Sequence, residues 1–190
     1  MASKDDRFVE RITPYVEDRR NVLIIRPPTL MNEILLTSLQ YALKRGIEEE
    51  FQIEESELMV EPLPNRNERR AILFYEAAEG GAGVLTRLTS DAGAISRVVK
   101  RALQMCHYTV DDSGSELIDT NPDCEAGCYR CLLSYYNQMD HKIIDRRNPE
   151  LKTLLLQMLT ASVQTASGGK THQQMEAHLD NLSGSTLEKA

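Results

Sequence analysis

Apolar and polar positions change rhythm several times along the chain, and each change marks an element. Val22-Leu23-Ile24-Ile25 is an unbroken apolar run rich in β-branched residues and stopped by Pro27-Pro28, the pattern of a buried strand. Leu30, Ile34, Leu35, Leu39, Ala42, Leu43 and Ile47 then recur at three- and four-residue intervals. This predicts an amphipathic helix of roughly 20 residues with Thr29 as its cap. Glu48-Glu49-Glu50 puts acid where a helix C-terminus disfavours it, so the helix is expected to break near Gly46. Phe51–Glu54 and Leu58–Glu61 alternate apolar with polar, as half-exposed strands do, and Pro62 and Pro64 are expected to end them.

A second strand–turn–helix unit follows. Ala71-Ile72-Leu73-Phe74-Tyr75 reads as a buried strand, Glu79-Gly80-Gly81-Ala82-Gly83 as a turn, and Val84–Leu88 as the start of a helix. Asp91 is placed to cap a further helix with Ile95, Val98, Val99, Ala102, Leu103 and Cys106 on one face. Thr109–Asp123, rich in Asp, Ser and Gly, reads as a loop. Asn148-Pro149 is a cap and first-position pair for a last helix reaching Ala161. The expected class is therefore mixed α/β (α+β), a small sheet with flanking helices. The expected division is a charged lead-in over 1–21, one domain over 22–163, and a disordered Ser-, Gly- and Gln-rich tail over 164–190.

Composition narrows the function classes. With 190 residues there is room for one ordinary domain. A net charge of −7 argues against a freestanding electrostatic nucleic-acid binder, and 5% aromatics with no Trp against a base-stacking one. The acid is unevenly placed: residues 1–64 hold 8 basic and 13 acidic side chains, residues 65–147 hold 11 and 12. Any basic surface must come from that middle block. The first residues contain no apolar leader and no 18-residue apolar run occurs, so a cytoplasmic, non-membrane protein is expected.

Four cysteines carry the most specific chemistry. Cys106 is followed at a distance by Cys124-x3-Cys128-x2-Cys131, three thiols within eight residues, with Gly127 able to ease a tight turn between them. In a reducing compartment such clustering points to a metal site. Four thiolates make a closed tetrahedral site suited to structural Zn²⁺, with no open position for catalysis. An iron–sulfur cluster held by all four thiols is the other chemistry this donor set fits. A radical S-adenosylmethionine enzyme shares the three-cysteine run but needs a long barrel after it, and only 59 residues follow Cys131. His107 and His141 are alternative nitrogen donors, although a lone histidine more often packs at a surface.

Gly80, Gly81 and Gly83 invite a second reading. Glycines between a strand and a helix can bring backbone amides to a phosphate. Here no Lys-Ser or Lys-Thr follows, so this is not a P-loop, and a tight turn with close backbone packing is the simpler account. His141-Lys142 is no phosphodiesterase motif, since the two side chains are adjacent and point apart.

The whole arrangement resembles a known family. Leu73-Phe74-Tyr75-Glu76 runs into Glu79-Gly80-Gly81-Ala82-Gly83, then a helix ending at Cys106, then Cys124-x3-Cys128-Tyr129-Arg130-Cys131 through Gln138, and finally Asp145-Arg146. This is similar to the MrfA-like zinc-binding (MZB) domain found near the C-terminus of many superfamily 2 DEAD/DEAH-box helicases. Related domains occur in phage-defence systems such as DISARM. The resemblance spans about residues 30–160 and implies a zinc site at Cys106, Cys124, Cys128 and Cys131, with a role in DNA repair or defence. It departs from the family in having no helicase motor on these 190 residues and no GxxxxGK[ST]. The implied motor is therefore on another chain or lost from this one.

These readings make the chain a non-catalytic accessory module whose partner is a superfamily 2 helicase or a defence-complex subunit. Zn²⁺ would shape the cysteine segment, and Arg130, Arg146 and Arg147 would meet DNA phosphates through the complex. Two alternatives belong to other classes. One is a phosphate- or nucleotide-handling enzyme built on the Gly80–Gly83 turn with Glu76 or Glu79. The other is a thiol redox sensor that releases its metal on oxidation.

Overall fold

The computed structural model describes residues 12–78 and 80–164. Along them run β1 (Val22–Ile25), α1 (Glu33–Phe51), β2 (Leu58–Asn65), β3 (Glu68–Glu76), α2 (Val84–Ser90), α3 (Ala94–Met105), β4 (Tyr108–Val110), β5 (Leu117–Asp119), a short 3-10 helix (Tyr135–Asp140) and α4 (Pro149–Met158). Residues 12–21 contain no helix or strand, and the tail expected to be disordered lies, from residue 165 on, outside the described residues. The first three strands form one antiparallel sheet in the order β1-β3-β2, with Phe74 opposite Leu23 on one side and Val60 on the other. All pairs are antiparallel, so the class is α+β.

Helix α1 is the centre of the molecule. It lies on the sheet and against α3, burying Leu36, Leu39, Leu43 and Ile47 together with Leu58, Ile72, Phe74, Val98, Val99 and Leu103. Each such aliphatic side chain contributes about 1.5–3 kcal/mol on leaving water. Gly46 does not break α1. A Cβ there would lie 2.4 Å from the Val98 carbonyl oxygen and 2.9 Å from the Ala102 Cβ, so glycine is what lets α1 and α3 approach. The helix starts later than Thr29: Asn32 is the cap, its Oδ1 accepting from the Leu35 N–H at 2.8 Å, and Leu30 stands exposed.

The acidic run is helical too. Buried Glu48 is paired with Lys44 and with Arg45 at 2.7 Å, and Glu50 takes Arg97 at 2.7 Å and Arg101 at 3.3 Å from α3. These cations offset the macrodipole penalty: Lys44 and Arg45 stand about one turn earlier on α1, and Arg97 and Arg101 come from α3. The helix therefore runs to Phe51 and stops at Gln52, which takes the left-handed conformation with φ 54°. The strand expected over Phe51–Glu54 does not form. Strand β2 instead passes through Pro62 and Pro64, which a proline can do because β2 is an edge strand. A register shift falls between Leu63 and Pro64.

The expected loop over Thr109–Asp123 contains a small hairpin. Val110 pairs with Leu117 and Tyr108 with Asp119. Asp111 makes the turn, its Oδ1 accepting from the N–H groups of Ser115 and Glu116, both at 2.8 Å. Gly93, not Asp91, is the cap of α3; Asp91 lies two residues earlier, its Oδ1 accepting from the Gly93 N–H at 2.9 Å. Asn148 caps α4 as expected, through Leu151 at 3.0 Å, but α4 ends at Met158 rather than Ala161.

Candidate metal centre

The end of α3 and the segment after β5 converge on one point. Cys106 is the C-cap residue of α3, and the next residue, His107, takes φ 62° in the left-handed region. Its carbonyl is fixed there by the Thr120 N–H at 2.8 Å and the Thr120 hydroxyl at 2.9 Å. Successive residues then point different ways. The group whose ligand atoms all lie within 4.8 Å of one another is His107, Cys124, Cys128 and Cys131. Three of the four cysteines named from sequence are thus brought together, while Cys106 stays fully buried beside them and is not one of the group.

The loop that presents the thiols is a tight turn. The Cys131 N–H donates to the Cys128 carbonyl at 3.0 Å, the Leu133 N–H to the same oxygen at 3.1 Å, and the Cys128 N–H to the Cys131 sulfur at 2.9 Å. Gly127 serves by its size rather than by a left-handed backbone: Leu133 and Ile144 lie 3.3 and 3.7 Å from where its Cβ would be. His141 is not a ligand candidate. Its Nε2 is engaged with the Ser134 carbonyl at 3.0 Å and Asn137 Oδ1 at 2.9 Å, holding the following loop.

Two of the donor pairs stand at the spacing a tetrahedral ion requires. With zinc–sulfur bonds of about 2.3 Å and zinc–nitrogen bonds of about 2.0 Å, two ligand sulfurs stand about 3.8 Å apart and a sulfur and an imidazole nitrogen about 3.5 Å. The Cys124 and Cys131 sulfurs are 3.8 Å apart, and His107 Nε2 is 3.3 Å from the Cys128 sulfur. The thiols differ in acidity. Burial pushes Cys131 up to about 12 and Cys124 upward. Burial also raises Cys128, but hydrogen bonds from His107, the Arg130 N–H and the neighbouring thiols outweigh it and bring the thiol down to about 6. One thiolate is thus ready to meet a cation, and the cation's own charge would ionise the others.

Arg146 builds the cradle around this group. The sequence makes it a candidate phosphate contact, but it is wholly buried and has no surface to offer a phosphate. Its Nε donates to the Cys124 carbonyl at 2.7 Å, Nη1 to the Cys106 carbonyl at 3.1 Å, and Nη2 to the Asn121 carbonyl at 2.8 Å and the Asp119 carboxylate at 2.9 Å. The Tyr108 ring lies 5.1 Å beneath the guanidinium. One planar fork thereby ties the end of α3, strand β5 and the cysteine loop. Of the other two arginines, Arg130 is exposed, and exposed Arg147 donates to the Pro122 carbonyl.

A second buried group fastens the cysteine loop to the domain. The Tyr41 hydroxyl of α1 donates to Asp140 Oδ2 at 2.6 Å, and Arg69 Nη2 of β3 donates to Asp140 Oδ1 at 2.7 Å. Ser38 Oγ accepts from the Asp145 N–H at 2.8 Å. Neither Asp140 nor Arg69 carried a signal in the sequence, because their meaning lies in a partner about seventy residues away.

The glycine turn is already filled. Glu76, the last residue of β3, places its carboxylate in the bend, accepting from the Gly83 N–H at 3.1 Å, the Leu85 N–H at 2.9 Å and Asn21 Nδ2 at 3.0 Å. A Cβ at Gly81 would sit 1.7 Å from Glu76 Oε2, which explains that glycine. Burial raises the Glu76 pKa, but these donors and the Val84 N–H outweigh it and hold the carboxyl below its ordinary value. Gly83 therefore donates to the chain's own carboxylate and Gly81 makes room for it, while Gly80 touches neither, and a negative charge already in the bend disfavours a phosphate there.

A match to a known family bears on the metal reading. Residues 39–132 match the family model described as MrfA Zn-binding domain. The chain carries an MrfA Zn-binding domain. The match takes in α1 from Leu39 on, the sheet strands β2 and β3, both following helices, His107 and all four cysteines, and is narrower than the 30–160 resemblance read from sequence. No curated protein and no solved structure matches the chain. Among the described residues, no helix is long and apolar enough to cross a membrane.

Proposed function

We propose that this MrfA Zn-binding domain is a zinc-stabilised, non-catalytic module of a DNA-unwinding machine whose motor lies outside these 190 residues, acting in repair or defence. The observation that carries the zinc reading is the group of His107, Cys124, Cys128 and Cys131, whose ligand atoms lie within 4.8 Å of one another with two of the pairs at tetrahedral donor spacing. A histidine among three cysteines favours zinc over an iron–sulfur cluster held by four thiolates. With every corner taken by a side chain the ion has no open position for substrate, so its contribution is to folding. Zinc when bound supplies the charge that holds three thiolates together. Arg146 positions their backbone, and Asp140 with Tyr41 and Arg69 anchors the loop. Free thiols in such a site suit a reducing, cytoplasmic setting.

The association with unwinding rests on the family and is tested by partnership. The zinc-loaded chain, used as bait in cells of its source, is expected to recover a superfamily 2 ATPase and to raise that enzyme's DNA unwinding. Cys128→Ser is expected to do neither. A folded, zinc-loaded chain that recovers no such ATPase, or that turns over nucleotide by itself, contradicts the proposal.

A further inference from the structure

Solvent reaches the four thiols unequally. Cys106, Cys124 and Cys131 are 1%, 6% and 0% exposed, whereas Cys128 is only half-buried. Cys124 and Cys128 both border an open depression with Asp123, Tyr129 and Arg130, and Cys128 is the more exposed of the two. A buried thiol waits two residues beyond it. The Cys128 N–H donates to the Cys131 sulfur at 2.9 Å, and the Cys131 N–H donates to the Cys128 carbonyl at 3.0 Å, so one tight turn holds both. Their sulfurs lie within 4.8 Å of each other. An accessible thiol followed closely by a shielded one is the arrangement of a reacting cysteine and its resolving partner.

The turn is also fastened by bonds that involve no thiol. Arg146 reaches the carbonyls of Cys106, Asn121 and Cys124, and Asp140 takes Tyr41 at 2.6 Å and Arg69 at 2.7 Å. The carbonyl of His107 is held by Thr120. None of these contacts uses a metal-binding atom, so each can persist when the donors change. The thiols then stay close enough to pair with one another and to take a metal back.

Building on the zinc reading of this group, we propose that the centre is a redox switch: a hydroperoxide oxidises Cys128, a disulfide closes to Cys131, and the domain releases its metal. A metal-bound cysteine is already a thiolate, the reactive form. The Cys128 sulfur attacks one peroxide oxygen, the O–O bond breaks, hydroxide leaves and Cys128 becomes a sulfenic acid. The Cys131 thiolate then attacks the Cys128 sulfur, forming the S–S bond and expelling a second hydroxide. Two thiolates, one peroxide and two protons thus give one disulfide and two waters. Of the group, Cys124 and His107 are left as donors, too few for a structural zinc site. Hydrogen peroxide is small and uncharged, so it enters a depression bordered by both Asp123 and Arg130 more readily than a bulky, charged disulfide does. Redox sensing thereby becomes a property of the module rather than a rival to it.

The test uses the full zinc-loaded chain, its zinc content measured beforehand, with hydrogen peroxide or glutathione disulfide as oxidant. Peroxide is expected to release the one zinc per chain, read by a zinc-sensitive dye, as two of the four thiols disappear. Mass spectrometry is expected to find dimedone, a trap for sulfenic acid, on Cys128 and the disulfide between Cys128 and Cys131. Dithiothreitol with added zinc should restore both thiols and metal. Cys106→Ala, which leaves the group intact, should release zinc at the wild-type rate. Metal retained while the same peroxide fully oxidises free cysteine would overturn the proposal. So would a first label on another thiol, a disulfide to Cys124 or Cys106, oxidation that dithiothreitol does not reverse, or faster release by glutathione disulfide. A chain that purifies without zinc overturns the zinc reading and the switch together, whereas a zinc-loaded chain that resists peroxide overturns the switch alone.

Discussion

Arg146 Nε donates to the Cys124 carbonyl oxygen at 2.7 Å, so the residue that presents a thiol to the metal group is held from behind by an arginine 22 positions later. The same guanidinium reaches Cys106, Asn121 and Asp119. Removing it leaves several buried carbonyls and one carboxylate without a partner. Arg146→Ala is expected to destabilise the protein by about 3–5 kcal/mol in chemical denaturation. Arg146→Lys should recover little, since an ammonium cannot serve four directions in one plane. A lysine variant as stable as wild type would show that the fork is not what holds the cradle.

The fourth donor is decided by two adjacent residues. His107 lies in the group and Cys106 does not. His107→Ala is expected to lower zinc affinity markedly, whereas Cys106→Ala should retain one zinc per chain and lose stability only through the small cavity it leaves. Metal content after dialysis against a chelator separates the two. The reverse order of loss would assign the site to four cysteines.

Glu76 gives the α2 turn a defined pH dependence. Its folded pKa is held below the ordinary value of 4.5, so its stabilisation is fully present above about that pH and is lost as pH falls through the lower folded value. Glu76→Gln, which loses charge-assisted bonds to Gly83 and Leu85, should cost about 1–3 kcal/mol at neutral pH. The gap from wild type should narrow in acid, where the carboxyl too is neutral. Denaturation at a series of pH values checks this, and a gap constant with pH would contradict it.

Gly46 is the contact point of α1 and α3. Gly46→Ala places a methyl group 2.4 Å from the Val98 carbonyl oxygen, and the two helices must part to admit it. Alanine favours helix over glycine by about 1 kcal/mol, yet overpacking of about 1–3 kcal/mol should outweigh that gain. A stabilised variant would show that the helices have slack at this crossing.

Much of this was legible in the chain. β1 follows from the sequence at its observed bounds, the core of β3 and the faces of α1 and α3 follow from periodicity, and cysteine spacing marks three members of the His107–Cys131 group. What was not legible depends on partners distant in sequence. Glu48–Glu50 looked like a helix end because the cations of Arg97 and Arg101 come from another helix. Pro62 and Pro64 looked like strand ends because edge position is a property of the sheet. Gly80–Gly83 looked open to phosphate because nothing in sequence says that Glu76 folds back into it. Cys106 and His107 are neighbours, and only the left-handed backbone at His107 separates their directions. Arg146 belonged to the recognised pattern, but its burial reverses the role expected of it.

Zinc itself is the point on which the account turns. Elemental analysis of the purified chain, joined to X-ray absorption at the zinc edge, measures it directly. The account predicts one zinc per chain with three sulfurs at about 2.3 Å and one nitrogen at about 2.0 Å. A folded chain containing no stoichiometric metal, or one containing iron with sulfide, would contradict it.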